Sequence, residues 1–80
     1  MVTYKLKEET TDKVIYEYFV EGRGVPGILV YIKTTKELLL EVLSDDEHGF
    51  RTYANHARRS ILRDIEEDRK FPENGMAAWY

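Results

Sequence analysis

The sequence predicts an α+β domain, in which one amphipathic helix packs on one face of a four-stranded antiparallel β-meander and a short C-terminal strand or extended segment follows. Three observations predict this fold. Apolar residues in the first half of the chain alternate with polar ones or form short runs, as in strands. After Ser44 their spacing changes to that of a helix. The apolar segment MAAWY then ends the sequence at residues 76–80.

The first two strands are predicted as a hairpin. Apolar and polar residues alternate in VTYKLK at residues 2–7. The segment KVIYEYFVE at residues 13–21 is rich in the β-branched and aromatic residues that suit a pleated surface. The polar stretch EETTD between them fits the connection of two antiparallel strands.

The third and fourth strands follow the strongest break in the chain, GRGVPG at residues 22–27. Its glycines and proline do not suit a regular element, and Pro26-Gly27 suits a type II turn. ILVYIK at residues 28–33 and LLLEVLS at residues 38–44 are apolar runs joined by the short link TTKE. We therefore expect a second hairpin.

One helix is predicted over residues 50–69. At 100° per residue its apolar side chains form a single stripe: Phe50, Tyr53, Ala54, Ala57, Ile61 and Ile65. Carboxylates at Asp45, Asp46 and Glu47 suit the helix N-terminus, and Pro72 prevents continuation beyond the C-terminus. Asn74-Gly75 is a turn signal, so we expect the chain to reverse there and MAAWY to follow a sheet edge.

The two faces of the predicted sheet differ in polarity. We assign the almost wholly apolar face to the helix: Val14, Tyr16, Tyr18, Val20, Ile28, Val30, Ile32, Leu38, Leu40 and Val42. The other face mixes polar and apolar side chains, whereas a face in water is normally polar. A mixed face suits contact with a second chain or a folded-back segment. The candidate interaction surface is Phe19, Leu29, Tyr31, Leu39, Leu43, Trp79 and Tyr80.

Composition limits the class of protein. Eighty residues with 42% apolar and 34% charged residues are typical of one soluble domain, here residues 1–80. The absence of cysteine excludes disulfides and favours a reducing, cytoplasmic setting. The sequence contains no run of about 18 apolar residues, so we expect no membrane span. The net charge of −3 disfavours nucleic acid as the default partner.

A basic concentration nevertheless lies on the predicted helix. The candidate anion or nucleic-acid contacts are Arg23, His56, Arg58, Arg59 and Arg63. Guanidinium groups bind phosphate in a bidentate manner, which favours this interpretation. The alternative is a solvated helix face on which Arg63 pairs with Glu66 and Glu67.

The sequence contains no catalytic signature. Its only histidines, His48 and His56, accompany neither a nucleophile pattern nor a convincing set of metal ligands. We therefore assign no catalytic, cofactor-binding or metal-ligating residue and expect no cofactor. The predicted function is that of a small non-enzymatic module that binds protein and self-associates, with a homodimer expected. Two alternatives are a nucleic-acid-binding or regulatory module that uses the arginine-rich helix face, and a small enzyme.

Overall fold

Within residues 1–79, which the computed structural model describes, a five-stranded antiparallel sheet carries a helix across one face. The elements are β1 (Val2–Glu9), β2 (Lys13–Val20), β3 (Gly27–Ile32), β4 (Glu37–Val42), a 3-10 turn (Asp45–Glu47), α1 (Thr52–Asp68) and β5 (Asn74–Ala77). The strand order is β4-β3-β2-β1-β5. The predicted meander, helix and C-terminal strand are confirmed. This described range holds no helix with the length and hydropathy that crossing a membrane requires.

The core lies between α1 and the covered face of the sheet. The buried side chains of the helix stripe are Ala54, Ala57 and Ile61. Because Ala54 and Ala57 have small side chains, the helix can approach the large side chains of the sheet closely. The sheet side of the core consists of Val2, Tyr4, Val14, Tyr16, Tyr18, Val20, Leu29, Tyr31 and Leu38. Phe50 was predicted in this stripe, but it precedes the helix and is 72% exposed.

Two tyrosine rings lie across glycines of neighbouring strands. Tyr4 and Tyr18 stand opposite each other on β1 and β2. Tyr4 also stands opposite Gly75 of β5, and Tyr18 opposite Gly27 of β3. A Cβ at either glycine would overlap the ring of its tyrosine. Both glycines are therefore strand residues with a packing function, since only a residue without a side chain leaves room for the ring.

The position of Gly27 opposite Tyr18 corrects the predicted face of β3. Because Gly27 lies under the Tyr18 ring, the alternation of the strand turns Leu29 and Tyr31 towards the helix, where they are 0% and 6% exposed. Ile28, Val30 and Ile32 point the other way. The prediction of the opposite arrangement was wrong because residues 28–32 are all apolar, so their pattern cannot distinguish the two registers.

The face of Val42 and the position of the chain reversal after α1 also differ from the prediction. A register shift in the β3–β4 pairing brings Val42 opposite Ile28, and Val42 therefore lies on the uncovered side. Asn74 and Gly75 belong to β5 and pair with Lys5 and Tyr4 of β1, rather than forming a turn. The chain reverses earlier, after Arg69 ends α1 in the left-handed conformation with φ 56°.

Candidate protein interface

The face of the sheet opposite α1, here named the open face, is covered by no element within residues 1–79. Its apolar residues are Ile15, Phe19, Ile28, Val30, Ile32, Leu39, Val42 and Met76. Five large apolar side chains are exposed among the described residues, and three of them lie here: Leu39 at 47%, Val42 at 48% and Met76 at 59%. This concentration makes the open face the leading candidate for an interface.

Strand register arranges the middle of the open face in three rows across β2, β3 and β4. The rows are Lys13–Ile32–Glu37, Ile15–Val30–Leu39 and Glu17–Ile28–Val42. Val30 is only 5% exposed although no element covers it, because the side chains around it shield it. The centre of the open face is therefore apolar, and charged side chains stand at its margins.

The open face contains part of the interaction surface predicted from sequence. Phe19 and Leu39 lie on it, and the ammonium group of Lys5 is 5.7 Å from the centroid of the Phe19 ring. The sequence reasoning missed Ile28, Val30, Ile32, Val42 and Met76. The signal that would have found the β3 residues is Gly27, whose lack of a side chain marks the face that carries the Tyr18 ring.

The other predicted surface residues lie elsewhere. Leu29 and Tyr31 are buried under α1 and are not available to a partner, which corrects their assignment. Leu43 follows the end of β4 and is half-buried. Tyr80 lies outside the described residues.

Trp79 packs on the helix rather than on the open face. Its ring stacks on His56, with centroids 3.8 Å apart and planes 4° from parallel. It also meets the Tyr53 ring edge-on at 5.1 Å. The half-buried Trp79 therefore holds the C-terminal segment against α1.

Three of the predicted anion contacts come together on the solvent side of α1. A shallow depression of about 400 Å³ is lined by Asn55, Arg58, Arg59, Leu62, Arg63 and Glu66. The Nε of Arg58 donates a hydrogen bond of 2.7 Å to the carbonyl of Leu38 on β4, so this arginine is already engaged. Arg63 lies 4.0 Å from the carboxylate of Asp64 instead of forming the predicted pairs with Glu66 and Glu67.

The remaining predicted cations are separate from this depression. Arg23 lines a second one of about 320 Å³ with Val20, Glu21, Gly24 and Asp46, and therefore stands beside two carboxylates. His56 is stacked on Trp79. The structure thus divides the predicted set among three places and gives two of them acidic neighbours.

A buried carboxylate ties the start of α1 to the sheet. Glu47 is 4% exposed and accepts hydrogen bonds from the Tyr18 hydroxyl at 2.6 Å, the Tyr53 backbone N–H at 2.7 Å and the Ala54 backbone N–H at 3.3 Å. The Tyr18 hydroxyl in turn accepts from the Ser44 backbone N–H at 2.9 Å. Burial and the bond to Glu47 raise the pKa of Tyr18. This cluster caps a helix whose N-cap residue supplies no side-chain bond.

A second polar cluster joins β1 to the middle of α1. The Tyr4 hydroxyl lies 2.7 Å from Ser60 Oγ and donates to Asp64 at 2.9 Å. Burial raises the pKa of Tyr4. Across residues 1–79 every buried side-chain nitrogen or oxygen has a hydrogen-bond partner. These clusters therefore stabilise the fold.

The described residues contain no group of three or more histidine and acidic side chains placed to hold a metal ion. Comparison with known proteins gives no match to a protein-family model, a curated protein or a solved structure. The geometry of the chain itself is therefore the basis for a functional proposal.

Proposed function

We propose that the protein is a small non-enzymatic binding module that acts through protein–protein association and self-associates through the open face. The observation that carries this proposal is the concentration of exposed Leu39, Val42 and Met76 on one uncovered side of the sheet. An antiparallel sheet face in contact with water normally presents polar side chains. Burial of these apolar groups against another protein surface removes them from water, which favours association.

The size of the open face sets the expected strength of association. Five strands spaced about 4.8 Å apart, each about 20 Å long, give a face of about 500 Å². A specific interface typically buries about 800 Å² on each partner. We therefore expect a reversible dimer with a Kd in the micromolar range or weaker. Such a Kd corresponds to a free energy of association of about 8 kcal/mol or less in magnitude.

The face is a better interface than the exposed edge of β4. Arg58 already donates to the carbonyl of Leu38 on that edge, which obstructs the addition of another strand. In an antiparallel pairing of two β4 strands centred on Leu39, Glu37 would stand opposite Glu41 of the second copy. Like charges directly opposite destabilise such a pairing.

Anion or nucleic-acid binding through Arg58, Arg59 and Arg63 is the second candidate. Its support is the single depression that these arginines share. Glu66 in the same depression and the net charge of −3 weigh against it. The cysteine-free composition supports a cytoplasmic setting for either function.

Sedimentation equilibrium of the full chain from micromolar to millimolar concentration tests the first candidate. We expect the apparent mass to rise from 9.5 kDa towards twice that value. Leu39→Lys places a charge in the apolar centre and should abolish the rise. Phe50→Lys is the matched control, because Phe50 is 72% exposed but lies outside the sheet. A wild-type monomer throughout would refute self-association, and equal losses in both variants would refute the role of the open face.

Fluorescence anisotropy with single-stranded DNA and RNA at low salt tests the second candidate. Phosphate contacts make affinity fall steeply as salt rises, whereas an apolar interface is much less sensitive. Binding that is absent at micromolar protein would exclude nucleic acid as a partner of the arginine depression.

A further inference from the structure

The outer row of the open face carries opposite charges at its two ends. Lys13 on β2 and Glu37 on β4 both pair with Ile32, which stands between them on β3. Both charged side chains are exposed, and neither takes part in an ion pair within residues 1–79. The next row repeats this geometry with apolar side chains, Ile15 and Leu39, on either side of Val30.

A row of this kind is complementary to itself reversed. When two sheets pack face to face about a two-fold axis parallel to their strands, each row keeps its height and its order is inverted. With the axis along β3, Lys13 faces Glu37 of the second copy and Ile15 faces Leu39 of the second copy. A symmetric dimer requires such self-complementarity, because the same patch is used on both copies.

We propose that the occupant of the open face is a second copy of this chain, related by a two-fold axis that runs along β3, with Lys13 of each copy paired to Glu37 of the other. This inference rests on the proposed self-association. The arrangement overlaps β2, β3 and β4 of each copy and leaves Met76 on β5 outside it. It buries Ile15, Val30 and Leu39 at its centre and keeps the ion pairs at the rim, as in protein interfaces generally.

An axis perpendicular to the strands satisfies the charges less well. It would bring Lys13 to Glu17 of the second copy and leave Glu37 against Val42. Glu17 already has a cation opposite it on its own chain, because Lys5 of β1 is its cross-strand neighbour. The axis along β3 places Glu17 against Val42 of the second copy, but Glu17 keeps Lys5 as its neighbour. Glu37 has no charged cross-strand neighbour among the described residues, so only the axis along β3 gives each carboxylate a cation.

Charge exchange tests the arrangement. In the Lys13→Glu variant, the new acidic residue faces Glu37 of the second copy at both symmetric contacts. In the Glu37→Lys variant, the new lysine faces Lys13 of the second copy at both contacts. We expect each variant alone to self-associate about tenfold more weakly at low salt, since two rim attractions become repulsions. An equimolar mixture should recover wild-type association as a heterodimer, because all contacts between the two variants are then complementary.

Lys70→Glu and Glu67→Lys are the matched controls, since they make the same charge changes outside the sheet. They should leave self-association unchanged, alone and mixed. Circular dichroism of each variant checks that it folds, and the neutral variants Lys13→Gln and Glu37→Gln should show smaller losses without recovery on mixing.

The outcomes separate this inference from the proposed function. A wild-type dimer that Leu39→Lys abolishes, combined with no recovery in the mixture, would overturn the β3 axis and leave the open face as the interface. Recovery when Lys13→Glu is mixed with Glu17→Lys instead would also overturn it in favour of the perpendicular axis. A wild-type monomer at millimolar concentration would refute both proposals.

Discussion

Replacing Glu47 by alanine tests how the helix is attached to the sheet. The carboxylate is 4% exposed and accepts from the backbone N–H groups of Tyr53 and Ala54 in the first turn of α1. It also accepts a hydrogen bond of 2.6 Å from the Tyr18 hydroxyl. Glu47→Ala removes all of these acceptors together and leaves a buried hydroxyl without one.

The expected loss follows from two contributions. Removing a helix cap costs about 1 kcal/mol. Leaving a buried donor unsatisfied costs about 1–3 kcal/mol, so Glu47→Ala should lower the free energy of unfolding by about 2–4 kcal/mol. A chain of 80 residues is typically stable by only about 4–12 kcal/mol, and the loss is therefore a large share. Glu47→Gln should cost less, because the amide oxygen still accepts a hydrogen bond.

Urea unfolding followed by far-ultraviolet circular dichroism measures this loss. Asp45→Ala is the control, since Asp45 is an exposed acidic residue two positions earlier and its removal should cost less than about 0.5 kcal/mol. A double-mutant cycle with Tyr18→Phe should give a coupling energy of about 1 kcal/mol or more. Equal costs for Glu47→Ala and Asp45→Ala, or a coupling near zero, would refute the reasoning.

Three further predictions concern packing and pH. Gly27→Ala drives a methyl group into the Tyr18 ring and should lower stability in urea by about 1–3 kcal/mol, so a neutral result would contradict the ring position. Trp79→Ala removes a stacked and an edge-on ring contact with α1, and a loss of about 1–3 kcal/mol is expected; an unchanged urea midpoint would show that the segment is not held there. Burial raises the pKa of Tyr4, Tyr16 and Tyr18. Above about pH 10 the unfolded chain therefore loses these protons while the folded chain retains them. The free energy of unfolding should be constant with respect to these tyrosines below that pH. Above it, the free energy of unfolding should fall by at most about 1.4 kcal/mol per pH unit for each tyrosine. In a series of urea titrations Tyr18→Phe should reduce this slope by about one third, and a stability independent of pH between about 9 and 11.5 would contradict the burial argument.

The order of the elements was predictable because it depends on local periodicity. Alternation identified β1 and β2, and a 3.6-residue spacing placed Ala54, Ala57 and Ile61 on the buried side of α1. Glycine was the least well interpreted residue. The sequence around Gly27 and Gly75 predicts turns, yet each glycine stands in a strand and makes room for a tyrosine ring. That role depends on a residue of another strand, which a local pattern does not contain.

The candidate site was only partly predictable for the same reason. A mixed second face was expected, and Phe19 and Leu39 are indeed on the open face. Leu29 and Tyr31 were assigned to it wrongly because β3 is apolar on both sides. The three helical arginines do meet in one depression, but the hydrogen bond from Arg58 to Leu38 requires a contact across 20 positions of the chain.

The amino-acid sequence by itself determined the number and order of strands, the buried stripe of the helix and the presence of one apolar and one mixed sheet face, since these follow from the spacing of side chains along each element. Only the tertiary structure decided which side of β3 meets the helix, which of Asp45, Asp46 and Glu47 caps it, and where Trp79 packs. These choices depend on side chains far apart in the chain that compete for the same space and the same hydrogen bonds. Their outcome places Val30 beside Leu39 on the open face, which is the proposed dimer interface.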